Sequence, residues 1–368
     1  MLKKTLLLTS GLLIIFLSST LTRVDRTPYK TLDFYKKSIH EINQLLTKNP
    51  SRSIGDTLLI GFARANLTPS ELAPLAGYGN RRPKEMTSVH DSIYVNTTVI
   101  NNGKNKIAIV SADLLIIPPE VTALLKEKLF NTGWALPEIF LSATHTHSSL
   151  GGWAPGLVGN MIAGTYNAKY PEFIANQIVA SIQMAEKRLN AGAWSFNELS
   201  IPSLINNRLV GTQGITDPSL KLMALKSGMQ EGVHVFYGAH ATCLSGENKQ
   251  MSRDYPGVFS DWVVNHTPLD FAVYSAGAVA SMGPETGPKQ GFDRAQFMGE
   301  EMAKQVALIQ QFGFPYENQL NLSFFRIPLF LRRPMVKISE NWALRPWIFK
   351  WAFGHSPLEI SMIQLNDL

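Results

Sequence analysis

Along this chain the apolar positions change period several times, and each change marks an element. The first block, TLLLTSGLLIIFLSSTLT at residues 5–22, is apolar with no period at all. Lys3 and Lys4 precede it and Arg23 and Arg26 follow, the pattern of a signal peptide or a single signal-anchor helix. No Ala-x-Ala cleavage site follows, and we favour a retained anchor; in either case the lysines stay cytoplasmic and the remainder is exported, membrane-anchored or, if the leader is cleaved, secreted or periplasmic. Between residues 31 and 49, Leu32, Tyr35, Ile39, Ile42 and Leu46 recur at helical spacing. Strands and helices then alternate. TLLIGFARANLTP (57–69) predicts a strand, and residues 92–117 a hairpin turning at Asn102-Gly103. Residues 119–133 open with proline and close with glycine, as a helix does. A buried strand is predicted over 138–149, a helix near 170–190, and strands over 192–201, 219–227 and 232–242. A helix at 252–266, a strand at 270–277 and a helix at 292–310 complete the pattern. This alternation predicts an α/β fold of layered mixed β-sheets flanked by helices. No internal repeat is visible in the sequence, and residues 31–368 read as one domain behind a leader and linker over 1–30.

Composition narrows the class. With 368 residues, 45% hydrophobic and 17% charged, the chain is neither disordered nor a multi-pass transporter. Its net charge of +6 is unevenly placed: residues 1–30 carry +4, residues 324–354 carry +5, and the rest is near −3. A nucleic-acid binder would carry a basic stripe through its folded body, so none is expected as a partner. Basic residues gathered in apolar, aromatic-rich segments instead favour a membrane surface. Two strands and a helix packed by further chain would explain residues 324–353 equally well. Cys243 is alone, which excludes an intramolecular disulfide and cysteine-rich zinc modules.

The strongest chemical signal is Thr144-His145-Thr146-His147, at the end of an apolar strand and just before Ser148-Ser149-Leu150-Gly151-Gly152. Histidines two apart on a strand share a face and could meet one ion or one substrate; neutral imidazole is a good zinc ligand. Two polar residues at a strand end is the plainer alternative. A β-lactamase-like metal site would continue with Asp and His where Ser149 and Leu150 stand, and an amidohydrolase barrel would carry the pair on its first strand. His240 ends a later predicted strand beside small residues, with His234 on the same face. Arg208 has no local acidic partner, and Ser281 lies in a small-residue loop.

Together these pieces resemble the neutral/alkaline non-lysosomal ceramidases. GFARANLTP, the GYG at 77–79, VSADLL at 110–115, THTHSSLGG at 144–152, Asn207-Arg208, AHAT at 239–242, SRDYPG at 252–257 and AGAVASMGP at 276–284 fall in that family's order. The resemblance implies a ceramidase N-terminal-domain-like fold, zinc held by His145 and His240, and His147 and Arg208 in the substrate site. It matches a catalytic serine to Ser281, although Ala278, Val279, Ala280 and Met282 depart from the family's pattern there. It also implies hydrolysis of the amide of an N-acyl sphingolipid, ceramide giving a fatty acid and a sphingoid base. In the family a Glu and a Tyr complete the zinc site. The Glu follows a strand resembling ISMIQLNDL, where this sequence stops at Leu368, so weak zinc binding and slow or absent turnover are expected. The rival expectations are a non-catalytic, membrane-anchored lipid-binding protein on the same fold, and a zinc amidase for another N-acyl substrate.

Overall fold

The computed structural model describes residues 11, 16–47, 53–82, 84–332, 334–353 and 358–366. Most of the apolar leader, Arg333 and Leu368 lie outside them. Among the described residues no helix is long and apolar enough to cross a membrane. The chain divides into two compact units. One is formed by Met1–Pro50, Gly156–Val158 and Arg326–Ile360, the other by Ser51–Pro155, Gly159–Phe325 and Ser361–Leu368.

The larger unit is built on an eight-stranded sheet, whose strands are numbered here in chain order. They are β1 (Leu59–Asn66), β2 (Tyr94–Asn101), β3 (Lys106–Ala112), β4 (Ile139–Ala143), β5 (Asn190–Ser200), β6 (Ser219–Ser227), β7 (Gln230–Tyr237) and β8 (Phe271–Ala276). Across the sheet they run β8-β7-β6-β5-β1-β2-β3-β4. That order is a duplication. β1, β2 and β3 form an antiparallel meander, helix α1 (Pro119–Lys128) crosses over, β4 joins parallel to β3, and helix α2 (Lys169–Glu186) follows. β5, β6 and β7 repeat the meander, helix α3 (Asp254–His266) crosses over, β8 joins parallel to β7, and helix α4 (Gly291–Phe312) follows. The halves meet where β1 pairs antiparallel with β5, through Leu59 with Ala191 and Ile60 with Asn190. No repeat is visible in the sequence because what repeats is connectivity.

Side-chain alternation gives the sheet two apolar faces. Ala63, Ala65, Ala108 and Val110 face α1 and α2, whereas Leu222, Val233, Val235 and Tyr274 pack with α3 and α4. The opposite face collects Ile60, Phe62, Ile109, Trp194, Met223, Phe271 and Val273 from both halves, and Phe62 stacks on Phe271 at 5.0 Å. The sheet therefore curls around its inner face until its two edges meet. Ser142 on β4 and Ser275 on β8 are hydrogen-bonded at 2.7 Å, and the Ser111 hydroxyl donates to the Tyr274 carbonyl at 2.6 Å. His234 extends this seam with its Nε2 2.7 Å from the Ser275 hydroxyl. The ends of β4, β7 and β8 are thereby brought to one place.

In the smaller unit Leu21–Arg23 pairs antiparallel with Trp342–Leu344, the helix Asp33–Thr47 follows the first of these, and the helix Pro346–Phe353 follows the second.

Candidate metal centre

Three loops leaving the seam build the site. β4 stops at Ala143, Thr144 still donates its amide to Ala112 (2.9 Å), and His145 then turns the chain with φ +61°. Here the strand reasoning fails: His145 and His147 converge because a left-handed residue folds the loop back, since the strand has already ended. The loop is pinned beyond that point. The Thr146 hydroxyl donates to the Ser252 carbonyl (2.9 Å) and the Ser252 amide to the Ser148 carbonyl (2.8 Å). Gly77, at φ +124°, passes so close beneath that a Cβ there would fall 2.6 Å from the His147 Cβ. Arg81, 1% exposed, donates to the carbonyls of Ala76 (3.1 Å) and His147 (2.8 Å).

His240 lies three residues beyond the end of β7, not on the strand, with its amide on the Met282 carbonyl at 3.2 Å. The turn that follows it is fixed by Asp254, a buried residue at φ +58°. The Asp254 carboxyl accepts the amides of Cys243 (3.3 Å), Leu244 (3.0 Å) and Tyr255 (2.7 Å), and burial pushes its pKa up. Its neighbour Arg253 pairs with Asp91 and Asp261. SRDYPG is thus a brace for both histidine loops.

The three imidazoles meet at their Nε2 atoms. His240 Nε2 lies 3.0 Å from that of His145 and 2.8 Å from that of His147, and one ligand atom from each falls within 4.8 Å of the others. The hydrogen-bond network assigns their protons. His145 donates Nδ1–H to the Leu115 carbonyl at 2.7 Å, and His240 donates Nδ1–H to the Val279 carbonyl at 3.2 Å. Both Nε2 atoms therefore carry lone pairs, and the two face each other. His147 differs, because its buried Nδ1 has no acceptor. Its proton sits on Nε2, which donates to His240. Burial, then the neighbouring imidazoles and arginines, hold the His147 pKa down to about 2. Burial and His145 take His240 to about 4, and burial chiefly lowers His145. All three are neutral at pH 7. Two facing lone pairs repel unless a cation lies between them, and neutral imidazole nitrogen is a zinc-type donor, so the donor set fits a metal ion.

Arg208 and Ser281 are joined to each other, the Arg208 amide donating to the Ser281 carbonyl at 3.0 Å. The Arg208 Nε holds the Ala280 carbonyl at 2.9 Å, and its charge lowers the pKa of all three histidines. The Ser281 hydroxyl has no hydrogen-bond partner among the described residues. His234 belongs to the seam instead: it is 1% exposed and stacked on Phe236 at 4.6 Å. Sequence reasoning missed the carbonyls of Leu115 and Val279, Arg81, and Tyr78, whose ring lies 5.0 Å from that of His147. The GYG spacing was a signal for Gly77 and Tyr78; Arg81 had none.

A curled, duplicated α/β sheet with a histidine-lined centre at its seam defines the class. The model of the neutral/alkaline non-lysosomal ceramidase N-terminal region matches residues 58–281, and the chain belongs to this family. The neutral ceramidase of Pseudomonas aeruginosa is 25% identical over 230 residues, a match covering 57% of this chain and 34% of that protein. The crystal structure of neutral ceramidase from Pseudomonas aeruginosa superposes with a TM-score of 0.64 at 20% identity, over 76% of this chain and 49% of that one. A ceramidase complexed with C2 gives 0.64 at 18% identity, over 78% of this chain and 49% of that one. The matches span half or less of these relatives' length.

Proposed function

We propose that this chain carries the catalytic core of a zinc-dependent amide hydrolase acting on N-acyl sphingolipids, releasing a fatty acid and a sphingoid base from a ceramide-like lipid. The observation that carries the reading is the pair of facing Nε2 lone pairs on His145 and His240, 3.0 Å apart, each fixed by a carbonyl on the far side of its ring. These two would hold the ion. Bound there, zinc supplies Lewis acidity, polarising an amide carbonyl and bringing the pKa of water toward ~7. With the His240 lone pair given to an ion, the His147 Nε2–H would lose that acceptor and be free to donate to oxyanion charge developing on the carbonyl oxygen. Arg208 adds positive charge on the same side and orients a polar headgroup. The Ser281 hydroxyl, held next to Arg208, is the candidate nucleophile or substrate hydrogen-bond donor.

Two fixed imidazoles hold zinc less firmly than the three protein ligands usual in catalytic sites. Weak zinc retention and slow turnover are therefore expected of the chain as it stands. The test is hydrolysis of ceramide and of short N-acyl amino acids by the purified chain, with zinc added and after chelation. Zinc-dependent release of fatty acid from ceramide is the expected result. Cleavage of the amino-acid amides alone would move the reading to an amidase of another substrate class. Lipid binding with no zinc-dependent cleavage of either would make the chain a binding protein.

A further inference from the structure

In the smaller unit the end of the apolar leader is gripped by the basic, aromatic segment that lies more than three hundred residues later in the chain. Residues 16–20 are helical, and Phe16 and Leu17 are 61% and 42% exposed. A helix end leaves carbonyls without partners. Here Arg345 donates Nε to the carbonyls of Ser18 (3.2 Å) and Leu21 (3.1 Å), and its amide to that of Thr20 (2.8 Å). Trp347 donates Nε1 to the Ser19 carbonyl (3.0 Å). Leu21–Arg23 then pairs with Trp342–Leu344, and the Arg23 guanidinium lies 5.5 Å from the Trp342 ring centre.

What grips the leader presents a surface of its own. Along Pro346–Phe353, Trp347, Lys350 and Trp351 are spaced i, i+3, i+4 and share one exposed face, with the two rings 54% and 71% exposed. Trp342, 44% exposed, and the exposed Lys337 lie on the segment that leads into this helix. Large indole rings that keep one polar group satisfied, interspersed with cations, suit the headgroup level of a bilayer, where one side is wet and the other apolar. An apolar stretch entering a bilayer carries to that level whatever caps its end.

We infer that the segment from Lys337 to Trp351, together with the leader end it caps, forms a docking face for an anionic phospholipid bilayer. The inference does not rest on the hydrolase reading, and its test uses no substrate. The full chain is placed in vesicles of phosphatidylcholine with about a third phosphatidylglycerol, carrying acyl chains brominated near the headgroup. Tryptophan fluorescence is then compared between the wild type and a Trp347→Phe/Trp351→Phe variant. Strong quenching in the wild type that falls by more than half in the variant is expected. A Lys337→Gln/Lys350→Gln variant should lose docking by roughly fivefold per lysine removed, read from the dependence of quenching on anionic lipid content. Equal quenching in wild type and tryptophan variant overturns the inference. So does undiminished quenching in vesicles of phosphatidylcholine alone, which would leave the leader as the only attachment.

Discussion

Which nitrogen of each imidazole carries its proton decides what the three histidines can do. The His-x-His pattern and the small residues around His240 marked these histidines as candidates, and only the resemblance to the ceramidases implied zinc on His145 and His240. The proton positions were not legible, because the deciding carbonyls of Leu115 and Val279 reach the rings only in the folded chain. With those assignments, removing a ligand and removing the donor have different consequences. His145→Ala and His240→Ala should each abolish the weak zinc binding of the wild type, measured by elemental analysis after equilibrium dialysis against excess zinc. His147→Ala should keep the metal and lower kcat by about 10²–10³-fold, the usual effect of deleting one oxyanion donor. Loss of zinc from the His147 variant would instead make His147 a third ligand. Gly77 shows a related limit of sequence reading. Its place in GYG contributed to the family resemblance, yet its purpose is the close passage under His147, a contact that no local pattern encodes.

At the scale of elements, the strand predicted over 219–227 is β6 residue for residue, since alternation continues to its ends. Other boundaries shifted for local reasons. The helix predicted to end just before Gly133 stops at Lys128, and Asn131 and Gly133 take positive φ beyond it. The strand predicted over 232–242 ends at Tyr237, because the chain leaves the sheet there to present His240. The seam between β4 and β8 was invisible. Serines mid-strand read as ordinary polar positions, and nothing in one strand names a partner more than a hundred residues away. Their arrangement still makes a sharp prediction. The Ser142 hydroxyl donates to the Val110 carbonyl, Ser275 donates to Ser142, and His234 Nε2–H donates to Ser275. Ser275→Ala would leave the buried His234 donor without an acceptor, at a cost of about 1–3 kcal/mol in urea unfolding. A change under about 0.5 kcal/mol would mean that the sheet edges are held by apolar packing alone.

For the whole molecule, the buried imidazoles set how stability responds to acid. Burial holds the His234 pKa down to about 3, against 6.5 when exposed. Between those values the unfolded chain takes up a proton that the folded chain refuses, so stability falls as pH drops from about 6.5 to about 3. Asp113, raised to about 6 by burial, acts in the opposite sense between about 6 and 3.8. Comparing the wild type with His234→Gln isolates one group. Their stability difference in metal-free buffer should shift by about 1.4 kcal/mol per pH unit below 6.5, and a pH-independent difference would contradict it. The duplicated topology has its own corollary. His145 follows the fourth strand of one half and is braced by the loop after that half's third strand; His240 follows the third strand of the other half and is braced by the loop after its fourth. On the proposed ligand set each half would supply one ligand and could not chelate alone. An ion taking both nitrogens is a latch across the closure, and by reciprocity whatever loosens the seam must weaken the ion by the same factor that the ion tightens the seam.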